Sequence, residues 1–250
     1  MGEKTAIEWT NKTWNPWVGC IKVSQGCKNC YMYRDQTRYG NDPRLIRRTS
    51  DATFNAPLKW KDPALVFTCS WSDFFIEEAD EWRNDAYDVM WETQHLTYQV
   101  LTKRPERMRQ HLPIDWYDSE NYDGWRHVWL GTSVETQDTA VRLDYLLRID
   151  ASVLFLSAEP LLGPLDLTEY LDGLSWVIVG GESGPDARPM KAEWAEDIRQ
   201  QCADFDVPFF FKQMGGNKRI GGHWGGNRLN DRLYQAIPPH GAIKQMGLFD

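Results

Sequence analysis

The 250-residue chain contains no apolar run of the roughly eighteen residues that a membrane-crossing helix needs. Its opening, Met1-Gly2-Glu3-Lys4-Thr5-Ala6, lacks the charged start and apolar stretch of a secretory signal. These two absences set the expectation of a cytoplasmic protein with no membrane partner, where structural disulfides are not expected. Cysteine is scarce, at five residues, yet three of the five fall between positions 20 and 30. No second Cys-x-x-Cys accompanies them, and no sequence repeat is found.

The size suits one large domain or an α/β barrel, and an apolar share of 42% with 26% charged residues is ordinary for a globular protein. A net charge of −8 argues against a nucleic-acid coat. The charge is unevenly placed, however. Residues 1–61 hold eleven Lys/Arg against five Asp/Glu, with Arg34, Arg38, Arg44, Arg47 and Arg48 directly after the cysteines. This segment either meets an anionic partner or is a solvated basic loop balancing an acidic body. Thirteen tryptophans include Trp9, Trp14, Trp17, Trp60, Trp71 and Trp224 in polar surroundings. They either pack a core or offer planar faces to a ligand.

Short apolar, β-rich runs recur at Thr13–Gly19, Ala64–Ser70, Tyr98–Thr102, Val128–Thr132, Val153–Ser157, Trp176–Gly180 and Pro208–Lys212. Several are continuous rather than alternating, which suits strands buried on both faces of a parallel sheet. Helical periodicity lies between them at Glu77–Leu96, Thr136–Ile149 and Lys191–Phe205. The alternation predicts an α/β fold: a single partial or complete (β/α) barrel of six to seven parallel strands, with the cysteine loop after strand one. A doubly wound open sheet is the competing topology. Residues 1–212 are read as the barrel. Residues 213–250, rich in Gly, Asn and Arg, are read as an irregular C-terminal extension that packs on the barrel or lids its mouth.

Barrel active sites form from the loops at the C-terminal strand ends. Those loops carry Cys69-Ser70-Trp71-Ser72-Asp73, Lys103-Arg104, Ser133-Val134-Glu135, Ser157-Ala158-Glu159, Gly180-Gly181-Glu182 and Lys212-Gln213. On one rim they would make a ring of carboxylates, cations and hydroxyls. Asp73, Lys103 and Glu135 are the catalytic candidates. Ser157, Glu159, Gly180, Gly181, Glu182 and Lys212 are the candidates for holding a cofactor, the glycines because they let a ligand approach the backbone.

Cys20, Cys27 and Cys30 are the strongest signal. Structural zinc normally takes four protein ligands, and His223 and His240 lie far along the chain. Thioredoxin-type redox needs only a pair. A [4Fe-4S] cluster accepts three thiolates and leaves one iron open, which the trio favours, with zinc and a metal-free loop as alternatives. Cys69 and Cys202 read as small core residues.

A barrel with three clustered cysteines after its first strand resembles the radical S-adenosylmethionine enzymes. More narrowly, the chain resembles a phage-type family known by its three-cysteine motif. The marks are Trp14-Asn15-Pro16, Gly19-Cys20, Ser24, Gly26-Cys27, Cys30-Tyr31, Leu101-Thr102-Lys103-Arg104-Pro105, Gly131-Thr132-Ser133-Val134-Glu135, Ser157-Ala158-Glu159-Pro160-Leu161, Gly180-Gly181-Glu182-Ser183-Gly184 and Phe211-Lys212-Gln213. Six residues separate the first two cysteines where the radical enzymes have three, and the Gly-Gly-Glu element follows the sixth strand rather than the second. The resemblance implies a [4Fe-4S] cluster on Cys20, Cys27 and Cys30, S-adenosylmethionine on its open iron, and reductive release of a 5′-deoxyadenosyl radical. It also implies an electron-donor protein and leaves room for a separately encoded partner. Glu182, Glu159 and Glu135 are then expected at the cofactor's amine or ribose, and Lys212 or Lys103 at its carboxylate.

The first functional reading is such an iron–sulfur enzyme acting on a nucleic acid or nucleotide, as the basic segment and tryptophans suggest. The second is a zinc-binding, non-catalytic nucleic-acid-binding module. The third is a metal-free barrel hydrolase using the rim carboxylates.

Overall fold

The structure, a computed structural model, describes residues 5–117 and 122–239. The apolar runs form seven strands: β1 Lys12–Trp14, β2 Ala64–Thr68, β3 Leu96–Thr102, β4 Val128–Ser133, β5 Leu154–Ala158, β6 Trp176–Gly180 and β7 Phe209–Gln213. They lie in chain order in one sheet, with every neighbouring pair parallel. The sheet is a curled half-barrel. The expected α/β architecture is therefore present with all seven strands, and the doubly wound order is not found.

Helices lie between the strands at α1 Tyr31–Arg38, α2 Asp80–Trp91, α3 Arg142–Leu146 and α4 Ala192–Asp204, of which α2, α3 and α4 send residues into the sheet core. Acidic residues cluster where α2 begins, at Glu77, Glu78, Asp80 and Glu81, and favour the positive end of the helix. In α4 the buried positions Ala195, Ile198 and Cys202 recur at helical spacing and turn one stripe to the sheet. Among the described residues no helix is long and apolar enough to cross a membrane.

Alternation along the strands splits the core in two. Outward-facing Val66, Val100, Leu130, Leu156, Val177 and Phe211 pack with Ala86, Met90, Leu143 and Ile198 of the helices. Inward-facing Leu65, Phe67, Trp129, Phe155, Ile178 and Phe210 join Trp9 and Trp176 in a second, largely aromatic cluster. The Trp176 ring lies 5.8 Å from Phe155, 6.1 Å from both Trp9 and Phe210, and 6.2 Å from Trp129. Gly131 makes this layer possible, because a Cβ there would come within 2.5 Å of the Phe155 ring. The barrel interior thus has a solid aromatic floor beneath a polar mouth. The core reading of the tryptophans holds for Trp9, Trp14 and Trp17, each at most 1% exposed. Trp60, Trp71 and Trp224 are half-buried.

Two local expectations change, and one helix is unexpected. The run Thr13–Gly19 is not one strand. Pro16 has no N–H to give to a ladder, so the chain breaks there, and Trp17–Val18 pairs antiparallel with Arg47–Arg48 instead. The helix expected over Thr136–Ile149 divides into a 3-10 turn, Gln137–Thr139, and α3. Helix α1 is short and mostly polar, with Met32 and Gln36 as its buried residues, one turn apart, so it offers little apolar signal.

After β7 the chain turns back along that strand. Phe211 N–H donates to Tyr234 O at 2.7 Å, and Phe210 bridges Gln235 antiparallel. Glu8, ahead of β1, accepts hydrogen bonds from Asn227 and Gln235 and pairs with His223 at 3.3 Å. Side chains thus link the N-terminal segment before β1 to the returning chain beside β7. Residues 240–250 of the expected extension, His240 included, lie outside the described residues.

Candidate functional site

The C-terminal ends of the parallel strands form a polar rim, and the cysteine loop is fastened to it from both sides. Asn15 leaves β1 and accepts the Trp71 N–H at 2.8 Å. Gly19 follows in a left-handed conformation (φ 93°), pressed so close to Leu45 O that a Cβ would lie 2.3 Å away. Cys20 then donates its N–H to Pro43 O, while Tyr33 Oη donates to Cys20 O at 2.5 Å. A 3-10 turn, Gln25–Cys27, carries the second thiol, and Cys30 stands at the residue just before α1 begins.

The three thiols gather close enough to sense one another. Burial pushes the Cys20 thiol up to about 12. Asp73, Cys27 and Cys30 add to the rise, and Arg104 opposes it. Burial likewise raises Cys30, against help for the thiolate from the Met32 and Tyr33 N–H groups and from Lys103. Metal ligation needs thiolates, so the nearby guanidinium and ammonium favour the ligating form. Among the described residues no three His, Cys, Asp or Glu side chains are grouped as ligands of one metal ion. A cluster asks for a different layout, with each thiolate on a separate iron. The trio has the donor chemistry such a layout needs: three thiols on one loop that influence one another's ionisation, with cations beside them.

Two rim carboxylates hold the loop down. Glu135, 1% exposed, accepts Ser24 Oγ at 2.9 Å and Arg142 Nη1 at 2.9 Å, and pairs closely with Lys103. Gly26 has to be glycine here, since a Cβ would sit 2.4 Å from the Glu135 side chain. Burial works against the Glu135 charge, yet Lys103 and Arg142 outweigh it and hold the carboxyl below its usual 4.5. Glu182 accepts Asn29 Nδ2 at 2.9 Å and the backbone N–H and guanidinium of Arg188. Its carboxyl is also lowered, despite desolvation, chiefly through the hydrogen bonds from Arg188.

The remaining predicted residues lie differently. Glu159 pairs with Lys212 at 2.9 Å and accepts Ser157 Oγ at 3.2 Å. Gly180 and Gly181 admit protein atoms: a Cβ on Gly180 would meet Glu159 Oε1 at 2.5 Å, and one on Gly181 would meet Met214 O at 2.0 Å. Asp73 is buried and fully engaged by Thr102 Oγ1 at 2.5 Å, Lys103 N–H at 2.8 Å and Arg104 Nη1 at 3.0 Å. It braces the ends of β2 and β3 against each other. Cys202 is buried in α4, as a small core residue. Cys69 is buried too, but it adopts φ 64° and lies near enough to Cys20 and Asp73 for their charges to raise its thiol further, after burial itself.

Beside the loop opens a groove of about 440 Å³, lined by Ile21 and Val23 with Lys103, Arg104, Arg107 and Arg142, and by Glu77, Glu78 and Glu106. Sequence reasoning missed Ser24, Asn29, Arg142 and Arg188 as the partners that fasten the loop. Ser24 and Asn29 sit between the cysteines and could have been suspected for that reason. The arginines carry no such signal, because each reaches its carboxylate from six or seven residues along the chain. The chain belongs to the family described as Protein of unknown function (DUF5131), whose profile matches residues 4–238. No curated protein and no solved structure matches it.

Proposed function

We propose that this DUF5131 chain is an iron–sulfur enzyme of the radical S-adenosylmethionine type, akin to the phage-type three-cysteine-motif proteins it resembles, acting on a nucleic acid or nucleotide. One observation carries the reading: three thiols on a single loop, fastened to the rim of a parallel half-barrel by two carboxylates of that rim. Cys20, Cys27 and Cys30 would hold three irons of a [4Fe-4S] cluster and leave the fourth without a protein ligand. When bound, cluster and S-adenosylmethionine supply a one-electron cleavage whose radical product takes hydrogen from a C–H bond.

The chain's own residues prepare the site. Burial raises both the Cys20 and the Cys30 thiol, and Arg104 at Cys20 and Lys103 at Cys30 offset part of that rise in favour of the thiolate. Glu135 and Glu182 fix the loop through Ser24 and Asn29, which sets where the sulfurs stand. Glu159 and Lys212 present one negative and one positive group side by side, complementary to the ammonium and carboxylate of an amino-acid moiety. The aromatic floor under the rim excludes water from below. Anaerobic incubation with iron and sulfide tests the reading. A brown protein with about four irons per chain is expected, together with release of 5′-deoxyadenosine on adding reductant and cofactor, and loss of both in Cys27→Ala. A colourless protein holding one zinc, or a Cys27→Ala variant with unchanged activity, would overturn it.

A further inference from the structure

The loop Glu182–Gly184 joins two basic elements that are far apart in sequence. On one side, Asn29 of the cysteine loop hydrogen-bonds Glu182, and the Arg34 guanidinium lies against Gly184, where a Cβ would come within 2.1 Å of Nη1. On the other side, Gly184 N–H donates to Gly216 O and Gly216 N–H to Glu182 O. Gly216 is the root of a hairpin whose first strand, Arg219–Ile220, is exposed and whose second, His223–Trp224, is half-buried. Lys22 and Lys28 on the loop, Arg34 and Arg38 on one face of α1, and Lys218 and Arg219 on the hairpin are all exposed. They form an arc beside the cysteine site.

Their charge is little compensated. Arg34 has Asp35 at 3.7 Å, and the other five form no ion pair with a described carboxylate. Just past this loop the exposed Asp186 forms no ion pair with a described cation, while Arg188 answers Glu182. The returning chain as a whole repeats the bias, with Lys218, Arg219, Arg228 and Arg232 against Asp231 alone between residues 214 and 239. Flat rings stand with these cations. Tyr39, 65% exposed, leans on Trp71 at the end of α1, and Arg219 lies 4.6 Å over Trp224.

We infer that this arc seats a single-stranded nucleic acid, with phosphates along Lys22, Lys28, Arg34, Arg38, Lys218 and Arg219 and bases against Tyr39 and Trp224. Cations in a row bind any phosphate backbone, whereas the exposed Tyr39 ring and the accessible part of Trp224 suit bases that are free to stack, which a duplex hides. A base presented at the rim would already be out of its stack, as chemistry on a base requires. The inference rests on the nucleic-acid half of the proposed function and not on the cluster.

Fluorescence anisotropy with a labelled single-stranded oligonucleotide tests it, using the full chain before and after iron–sulfur reconstitution. Binding is expected in both states. Lys28→Ala with Arg38→Ala, and separately Lys218→Ala with Arg219→Ala, should each weaken it roughly tenfold and flatten the salt dependence by about 0.7 in log–log slope per lost phosphate contact. Lys59→Ala with Lys61→Ala, just ahead of β2 at the opposite end of the sheet, should change nothing; circular dichroism checks that every variant is folded. Failure to bind, equal affinity for polyglutamate, preference for duplex, or an equal loss in the Lys59/Lys61 variant would each overturn the inference. Release of 5′-deoxyadenosine by a chain that binds no oligonucleotide would sink the arc and spare the chemistry. Oligonucleotide binding by a chain that takes up no iron would do the reverse.

Discussion

Glu135 and Glu159 stand in the same place on consecutive strands, each just past a C-terminal end, yet they do opposite work. Glu135 is sealed under the cysteine loop and shared among Ser24, Lys103 and Arg142. Glu159 faces Lys212 and Ser157, with no residue of the cysteine loop bonded to it. The difference comes from what lands on the strand end. The loop after β1 crosses to β4 and reaches round to the Glu182 turn, and Glu159 between them is left unused by it. A rim carboxylate under the loop becomes a fastener, and one beside it stays available.

Removing a fastener should cost far more than removing the available pair. Glu135→Ala strips two buried or half-buried cations of their counter-charge and should lower stability by about 3 kcal/mol in urea unfolding, with iron uptake lost as well. Glu182→Gln keeps the shape but weakens the bonds to Arg188 and Asn29; about 1 kcal/mol and partial iron retention are expected. Glu159→Gln or Lys212→Met breaks a partly exposed pair, so stability should fall by less than about 1 kcal/mol. Cofactor affinity, measured by calorimetry on reconstituted protein, should nonetheless fall at least roughly tenfold, the cost of about one lost charge-assisted contact. If Glu159→Gln proved as destabilising as Glu135→Ala, the contrast would be false.

The subtlest distinction lies in pH. Glu135 and Glu182 titrate below the ordinary glutamate value of 4.5 in the folded protein. Their contribution to stability is therefore complete above that value and drains away as pH falls through the lowered folded values. Thermal melts taken from pH 6 downward should show an acid loss in the native chain that is shallower in Glu135→Gln. An unchanged acid slope in that variant would show that the carboxylate is not held in its charged form.

Much of this frame could be read from residue order. Continuous runs such as Val153-Leu154-Phe155-Leu156 announce strands with two apolar faces, and such strands need helices between them and parallel neighbours. The rim followed from the strands, because polar residues come just after each one. Division of labour along the rim could not be read, since it depends on which long-range partner arrives. Ser24 meets Glu135 across 111 positions and Asn29 meets Glu182 across 153. Helix α1 was hidden for a related reason: its register is set by Cys30 and by Tyr31 Oη bonding Ser70 O at 2.6 Å, not by an apolar stripe of its own.

The Phe155 ring lying across Gly131 has a consequence for traffic. With that ring and Trp176 plugging the middle of the sheet's concave side, the fold is a cup and not a pipe. Any molecule seated at the rim must enter and leave by that one opening, so under the proposed chemistry one guest has to depart before the next can settle. A longer or shorter side chain at position 155 would change how far a guest sinks before it stops.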